Sequence, residues 1–181
     1  MSETELAQKC KLGDKQAYKE LYELFAEKML CLCFRYTGDI DVAHDLLHDG
    51  FLKVFSSFPS FKGQYEGSLH AWLNRIFTTT ALEYLRKRDL LRDGISLDEV
   101  YDLADEPEPD ASLLSMDILM RFVAELPVGY RTVFNLYVFE DWPHKEIARQ
   151  LHINEKSSAS QLTRARKILA ERIREELKKQ R

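Results

Sequence analysis

The stretch Pro143-His144-Lys145-Glu146-Ile147-Ala148-Arg149-Gln150-Leu151-His152-Ile153-Asn154-Glu155-Lys156-Ser157-Ser158-Ala159-Ser160-Gln161-Leu162 reads as helix, short turn, helix. Ile147, Ala148 and Leu151 recur at the spacing of one helix face, with Ala148 small enough for a second helix to come close. Ile153 fills the corner, Asn154 is an N-cap, and Leu162 with Ala165 returns to the interior. The second helix is expected to turn Lys156, Ser157, Ser160, Gln161 and Arg164 outward near its N-terminus, where such side chains enter a major groove and read base edges. Further along, Arg166, Lys167, Arg172, Arg174, Lys178, Lys179 and Arg181 add phosphate-seeking charge, diluted by Glu171, Glu175 and Glu176. The competing reading is an ordinary helical hairpin with the same apolar stripe.

Just upstream, Leu126-Pro127 opens another helix, with apolar positions Tyr130, Val133, Phe134, Tyr137 and Val138. Val133 to Phe139 is so apolar that periodicity alone does not exclude a strand, and the flanking helical signals decide for helix. Before that, from about Leu91 to Ser115, Asp98, Glu99, Asp102, Asp105, Glu106, Glu108 and Asp110 crowd around Pro107 and Pro109. Such a run repels itself and builds no core, so it is expected to be an extended tether.

The charge follows these divisions. The net charge of −4 arises from −1 over residues 1–90, −8 over 91–130 and +5 over 131–181. A near-neutral front, an acidic middle and a basic tail suit two modules joined by a charged linker, and the sum alone does not exclude a nucleic-acid partner.

The front module shows three helical stripes. The first follows the N-cap Asp14 through Tyr18, Leu21, Tyr22, Phe25, Met29, Leu32, Cys33 and Tyr36, and stops at Thr37-Gly38. The second, with Asp41 as the expected cap, runs through Ala43, Leu46, Leu47, Gly50, Phe51, Val54 and Phe55. After Ser56-Ser57-Phe58-Pro59-Ser60 and a loop with Gly63 and Gly67, the third runs from Ser68 through Leu69, Trp72, Leu73, Ile76, Phe77, Thr80, Tyr84 and Leu85. Around the third, Lys62, Arg75, Arg86, Lys87 and Arg88 alternate with Phe61, Tyr65 and Trp72. Cations interleaved with rings suit a nucleic-acid strand, because ammonium and guanidinium groups meet phosphates while rings stack on bases. The plainer reading of Arg86 to Arg88 is a cationic helix C-terminus that favours the dipole.

Composition bounds the rest. Of 181 residues, 45% are hydrophobic and 31% charged, enough for a core, and seven Gly with five Pro leave long helices uninterrupted. The longest strictly apolar run, Met29 to Phe34, falls far short of the ~20 residues that span a bilayer. Met1-Ser2-Glu3-Thr4-Glu5 lacks a basic and apolar leader, and the three cysteines lack framework spacing. A cytosolic chain without disulfides and without membrane insertion is expected.

In sum the residues predict an all-α chain. Residues 1–90 form one small helical domain, 91–115 an acidic flexible linker and 116–181 a second helical domain with the helix-turn-helix.

The pairing of modules resembles the bacterial RNA polymerase sigma factors of the extracytoplasmic-function (ECF) type, and the similarity runs over nearly the whole chain. Asp41-Val42-Ala43-His44-Asp45-Leu46-Leu47-His48-Asp49-Gly50-Phe51 resembles the family's core-polymerase-binding motif. Phe61-Lys62-Gly63, then Ser68-Leu69-His70-Ala71-Trp72-Leu73-Asn74-Arg75-Ile76, resembles its segment that opens and holds the promoter −10 element. Leu126-Pro127-Val128-Gly129-Tyr130-Arg131, Glu146-Ile147-Ala148 and Ser160-Gln161-Leu162-Thr163-Arg164-Ala165-Arg166 resemble its −35-reading domain. Three departures bear on promoter sequence: His152 stands where the family usually has Gly, Thr79 where some relatives have Asn, and Ala159 where a basic residue is common.

The resemblance implies a mechanism and a set of roles. Asp41, Asp45, Leu46, His48, Asp49 and Phe51 would dock on core RNA polymerase through an acidic and hydrophobic face. Lys62, Tyr65, Trp72, Arg75, Thr79, Arg86, Lys87 and Arg88 would hold the melted −10 strand, and Lys156, Ser157, Ser160, Gln161, Arg164 and Arg166 would contact the −35 element. The linker would mimic nucleic acid in a basic channel of the polymerase, and an anti-sigma factor would restrain the free chain. No cofactor, metal, small-molecule substrate or catalytic step is implied.

Rival readings rest on less. A metal site would use Asp41-x-x-His44 and Asp45-x-x-His48 or Cys31-x-Cys33, which supply too few ligands for zinc or lie in an apolar helix. No Gly-rich phosphate loop or nucleophile elbow is present. A stand-alone helix-turn-helix regulator would share the back module but needs a sensing front, whose pattern is absent. A structural adaptor would show no salt-dependent binding to promoter fragments.

Overall fold

The computed structural model describes residues 2–63, 67–88, 91 and 109–180. The chain divides into two compact units, Met1–Tyr84 and Leu85–Arg181. Among the described residues every regular element is helical.

Unit 1 holds α1 (Glu3–Lys11), α2 (Lys15–Thr37), α3 (Ile40–Ser57), a 3-10 turn at Phe58–Ser60 and α4 (Ser68–Lys87), whose last turn crosses the unit boundary. Asp14 caps α2 as expected, its carboxylate accepting from the Gln16 and Ala17 N–H groups at 2.8 and 3.3 Å. Gly38, at φ +69°, ends α2 in the left-handed conformation that glycine adopts without a Cβ clash. The cap of α3 is Asp39 rather than Asp41. Asp39 accepts from the Asp41 and Val42 N–H groups, and Asp41 already lies in the first turn. The sequence reading has no counterpart of α1. Its apolar face is only Leu6, Ala7 and Cys10, too short for a clear period, although Ser2 and Glu5 form the reciprocal capping box that marks a helix start.

The unit 1 core is aromatic. Tyr36, Phe58 and Phe77 are fully buried with Leu21, Leu32, Leu69, Leu73 and Leu82. Phe77 meets Phe51 edge-on at 5.3 Å and presses on Gly50, where a methyl group would land inside the Phe77 ring. Glycine at position 50 is what lets α3 and α4 approach.

Unit 2 begins with a 3-10 turn at Ala111–Leu113, followed by α5 (Met116–Ala124), α6 (Val128–Phe134) running into one π-helical turn at Asn135–Phe139, α7 (His144–Leu151) and α8 (Glu155–Lys179). Val133 to Phe139 is thus helical. The expected tether needs correcting at its end: Asp110 caps the 3-10 turn through the Ser112 N–H, and Leu114 is buried. Residues 92–108 of that stretch lie outside the described residues.

Val123, Leu126, Ala165 and Leu169 form the centre, with Tyr130, Phe134 and Ile168 against them. Polar groups share this interior. Arg131 is buried and donates to the Ala124 carbonyl at the end of α5, and burial lowers its pKa to about 10. Asn135 Nδ2 donates to the Arg131 carbonyl at 2.9 Å, and Thr132 Oγ1 to the Val128 carbonyl at 2.7 Å. No described helix is long and apolar enough to cross a membrane.

Candidate nucleic-acid interface

The predicted helix-turn-helix is α7, a three-residue corner and α8. Asn154 Oδ1 accepts from the Ser157 N–H at 2.7 Å and caps α8. His152 takes the left-handed conformation at φ +56° and ψ +40°, which a side chain adopts at a cost of about 1–2 kcal/mol. The corner is closed by the Ile153 N–H, which donates to the Ala148 carbonyl at 3.0 Å. A second tie joins the two helices directly: His144 Nδ1 and Ser158 Oγ hydrogen bond at 2.9 Å, and the His144 ring stacks on Tyr137 at 4.6 Å.

These contacts fix which face of α8 is free. Lys156, Ser160 and Arg166 are exposed, and Ser157 and Arg164 are half-buried. Arg164 Nη1 donates to the Tyr130 hydroxyl at 3.3 Å, and Arg166 lies 6.0 Å from the Tyr137 ring centroid. Gln161 does not point outward as expected; it is buried. At 3.6 residues per turn, Ser158, Gln161, Leu162 and Ala165 share one face, and that face packs inward. The signal was available, because counting back four from Leu162 and Ala165 lands on Ser158 and Gln161.

On α3 the same geometry separates two faces. Asp41, His44, Asp45, His48 and Asp49 are exposed, while Ala43, Leu47, Gly50 and Val54 are buried. Leu46 and Phe51, expected in the docking face, belong to the buried set at 4% and 3% exposure and cannot meet a partner. They carry the apolar period, and the period marks the side packed on α2 and α4. Leu52, which sequence reasoning passed over, is 55% exposed beside the acidic strip and supplies its apolar component.

The −10 candidates are not brought to one place. A cleft of about 430 Å³ between α3 and α4 unites Trp72, Arg75 and Thr79 with Lys53 and Glu83. Lys53 Nζ donates to Glu83 Oε2 at 2.7 Å and to Thr80 Oγ1 at 3.1 Å, so this cation is held in the cleft wall. Trp72 is half-buried against Phe58 and Phe61, with centroids at 5.0 and 4.8 Å, which leaves one edge of a fixed ring open to the cleft. Thr79 Oγ1 donates to the Arg75 carbonyl at 2.8 Å. Arg86, Lys87 and Arg88 are exposed at the far end of α4, roughly 16 Å along the axis from Arg75 at 1.5 Å per residue. Lys62 instead lines a separate cavity beside α1, and Tyr65 lies outside the described residues. Among the described residues no group of three or more His, Cys, Asp or Glu side chains is arranged to hold a metal.

Comparison with known proteins follows the same two units. The family described as Sigma-70 region 2 matches residues 21–90, and that described as Sigma-70, region 4 matches residues 116–169. The chain is 26% identical to an ECF RNA polymerase sigma-E factor of Haemophilus influenzae, over 96% of each chain. It is 25% identical to the ECF RNA polymerase sigma factor SigW of Bacillus subtilis, over 91% of this chain and 93% of that one. Among solved structures, the sigma factor RpoE of Bartonella quintana, in complex with the anti-sigma factor NepR, has a similar fold. The TM-score is 0.50 at 21% identity, covering 85% of this chain and 94% of that one. With region 2 followed by region 4 in one chain and full-length likeness to such proteins, the chain belongs to the RNA polymerase sigma factors of the ECF type. It is a transcription initiation factor rather than a stand-alone regulator.

Proposed function

We propose that the two units divide the work of initiation. Residues 1–90 grip core RNA polymerase and the melted −10 strand, 116–181 dock on the −35 duplex, and the acidic stretch from residue 91 to the turn capped by Asp110 is the connection that occupies a basic channel of the polymerase. The observation that carries this reading is how the polar side chains left outside each core sort by chemistry. They form an acidic strip with Leu52 on α3, a cation-bearing cleft with an aromatic edge on α4, and a cationic and hydroxyl-bearing start on α8.

Each feature has a physical counterpart. Asp41, Asp45, His48 and Asp49 present negative charge that steers and registers a basic partner surface. Trp72, Arg75 and Thr79, with Arg86, Lys87, Arg88, Lys62 and Tyr65, offer stacking and phosphate contacts to an unpaired strand, so that captured single strand drives opening. Lys156, Ser157 and Ser160 lie in the first turns of α8 and face the groove, while Arg164 and Arg166 reach phosphates. The chain contributes binding and performs no covalent step of its own, and it works in the cytosol alongside the polymerase. An anti-sigma factor restrains it when initiation is not required, a reading supported by the similar fold solved with such a partner.

The test is reconstitution of core RNA polymerase with the full chain on promoters selected from random sequence. The expected result is initiation that depends on both elements. Asp45→Lys with Asp49→Lys is expected to lower core-polymerase affinity about tenfold or more. Arg164→Ala is expected to weaken −35 dependence about tenfold with core binding unchanged. Core polymerase that starts RNA synthesis no better with the chain than without it overturns the proposal.

A further inference from the structure

We infer that α1 is a clamp that holds Phe61 and the start of α4, with Glu3 and Lys11 as positioning residues for reading the melted −10 strand. The inference deepens the proposed function and rests on its assignment of Lys62, next to Phe61, and of α4 to strand contact.

The clamp has two attachment points. Lys11 Nζ donates to the Phe61 carbonyl at 3.3 Å. The Glu3 carboxylate accepts from the Gly67 N–H and, at 2.8 Å, from the His70 N–H. Glu3 and Lys11 lie eight residues apart on one helix, roughly 12 Å along its axis, so one rigid rod sets the separation of the two attachment points.

Glu3 also supplies what the local sequence lacks. The Ala71 N–H donates to the Gly67 carbonyl, which puts Gly67 at the start of α4. Gly67 has φ +86° and no side chain to cap the helix. A carboxylate from 64 residues upstream takes the capping position, where the positive end of the helix dipole favours it. α1 itself is seated by Leu6, Ala7 and Cys10 in the core and by the Ser2–Glu5 capping box.

Beside the rod opens a cavity of about 350 Å³, walled by Thr4, Gln8 and Lys11 on one side and by Phe61 and Lys62 on the other. The face next to Lys62 is therefore partly made by α1. That helix precedes the matched region 2, which starts at residue 21.

Two readouts on the full chain decide the matter. The first is hydrogen exchange at the Gly67 and His70 amides. The second is affinity of the reconstituted holoenzyme for a fluorescent single-stranded oligonucleotide bearing the −10 element of a promoter it selects from random sequence. Glu3→Ala is expected to speed exchange at both amides and to weaken the oligonucleotide about fivefold, the effect of losing one helix cap, with core-polymerase affinity unchanged. Glu3→Gln keeps one acceptor oxygen and is expected to recover part of the loss, as Lys11→Arg is expected to recover what Lys11→Met loses. These conservative variants carry the comparison if Glu3→Ala does not fold. Unchanged amide exchange in Glu3→Ala overturns the clamp. Faster exchange with oligonucleotide affinity within about twofold of wild type overturns the positioning role. Wild-type holoenzyme that binds no −10 strand removes the strand-reading proposal itself, and the positioning role with it, while the amide rates still decide whether α1 caps α4.

Discussion

Unit 1 fills its interior with rings and buries two threonines, Thr78 and Thr80, whereas unit 2 admits an arginine, an asparagine, a glutamine, a threonine and a serine into a smaller apolar centre. In unit 1 the buried contacts between α3 and α4 are Phe51 on Phe77 and Phe77 on Gly50, which are matters of volume, with the Lys53 hydrogen bonds to Thr80 and Glu83 at their edge. In unit 2 α8 packs through Ala165 and Leu169 and is also tied by directional contacts, His144 to Ser158 and Arg164 to Tyr130. A packed ring tolerates no change of size, while a hydrogen bond specifies an angle. The difference teaches that unit 1 is held together chiefly by the fit of volumes, while unit 2 adds directional bonds that orient one helix.

The largest effect should come from removing a ring. Phe77→Ala is expected to destabilise unit 1 by about 3–5 kcal/mol in chemical denaturation, through lost burial and the cavity left behind. A loss below about 1 kcal/mol, outside the range for such truncations, would erase the contrast between the units.

Next is Gly50→Ala, expected to cost about 1–3 kcal/mol because the new methyl collides with Phe77. Combined with Phe77→Leu, it should cost less than the two changes added separately, since the smaller side chain makes room. Strict additivity in that double-mutant cycle would show that the ring and the glycine are not in contention.

Smaller, and opposite in sign, is His152→Gly. Gly38 and His152 end their helices in the same left-handed conformation, one at no steric cost and the other at some. Thermal denaturation of the His152→Gly variant is expected to show a gain of about 1 kcal/mol in unit 2, which unit 1 cannot gain at Gly38.

The smallest effect concerns the thiols. Burial pushes Cys10 up to about 11 and Cys33 up to about 12, while Cys31 is exposed. One thiol, Cys31, should react with iodoacetamide in the native protein. A thiol with a raised pKa stabilises the fold fully below its ordinary value of 9.0, and that contribution is lost as the pH climbs toward 11–12. Stability measured from pH 8 to 11 should therefore begin to fall above about pH 9, and a flat profile would place both thiols in contact with water.

Much of this was legible in the residues because helices are local. Asp14 and Asn154 cap their own helices within three residues, and Gly38 terminates its own, so spacing and cap chemistry located α2, α3, α4, α7 and α8. Two short helices were not: α1 offers three buried residues, and α5 lies behind an acidic run that dominates its surroundings. The site residues divided along another line. Asp45, Asp49, Lys156 and Ser160 are exposed where expected. Leu46 and Phe51 fit both the apolar stripe and the docking motif, and a side chain has only one direction. Gln161 is expected outward with its neighbours near the start of α8, although its place in the period puts it inward.

The sequence by itself determined α2, α3, α4, α7 and α8, the caps Asp14 and Asn154, the order of the two modules and the acidic stretch between them, since each depends on residues a few positions apart. The tertiary structure alone decided that Arg131 is interior, that Leu52 is not, and that Glu3 caps a helix 64 residues away. Burial and long-range hydrogen bonds depend on which faces meet, and no local spacing encodes that meeting.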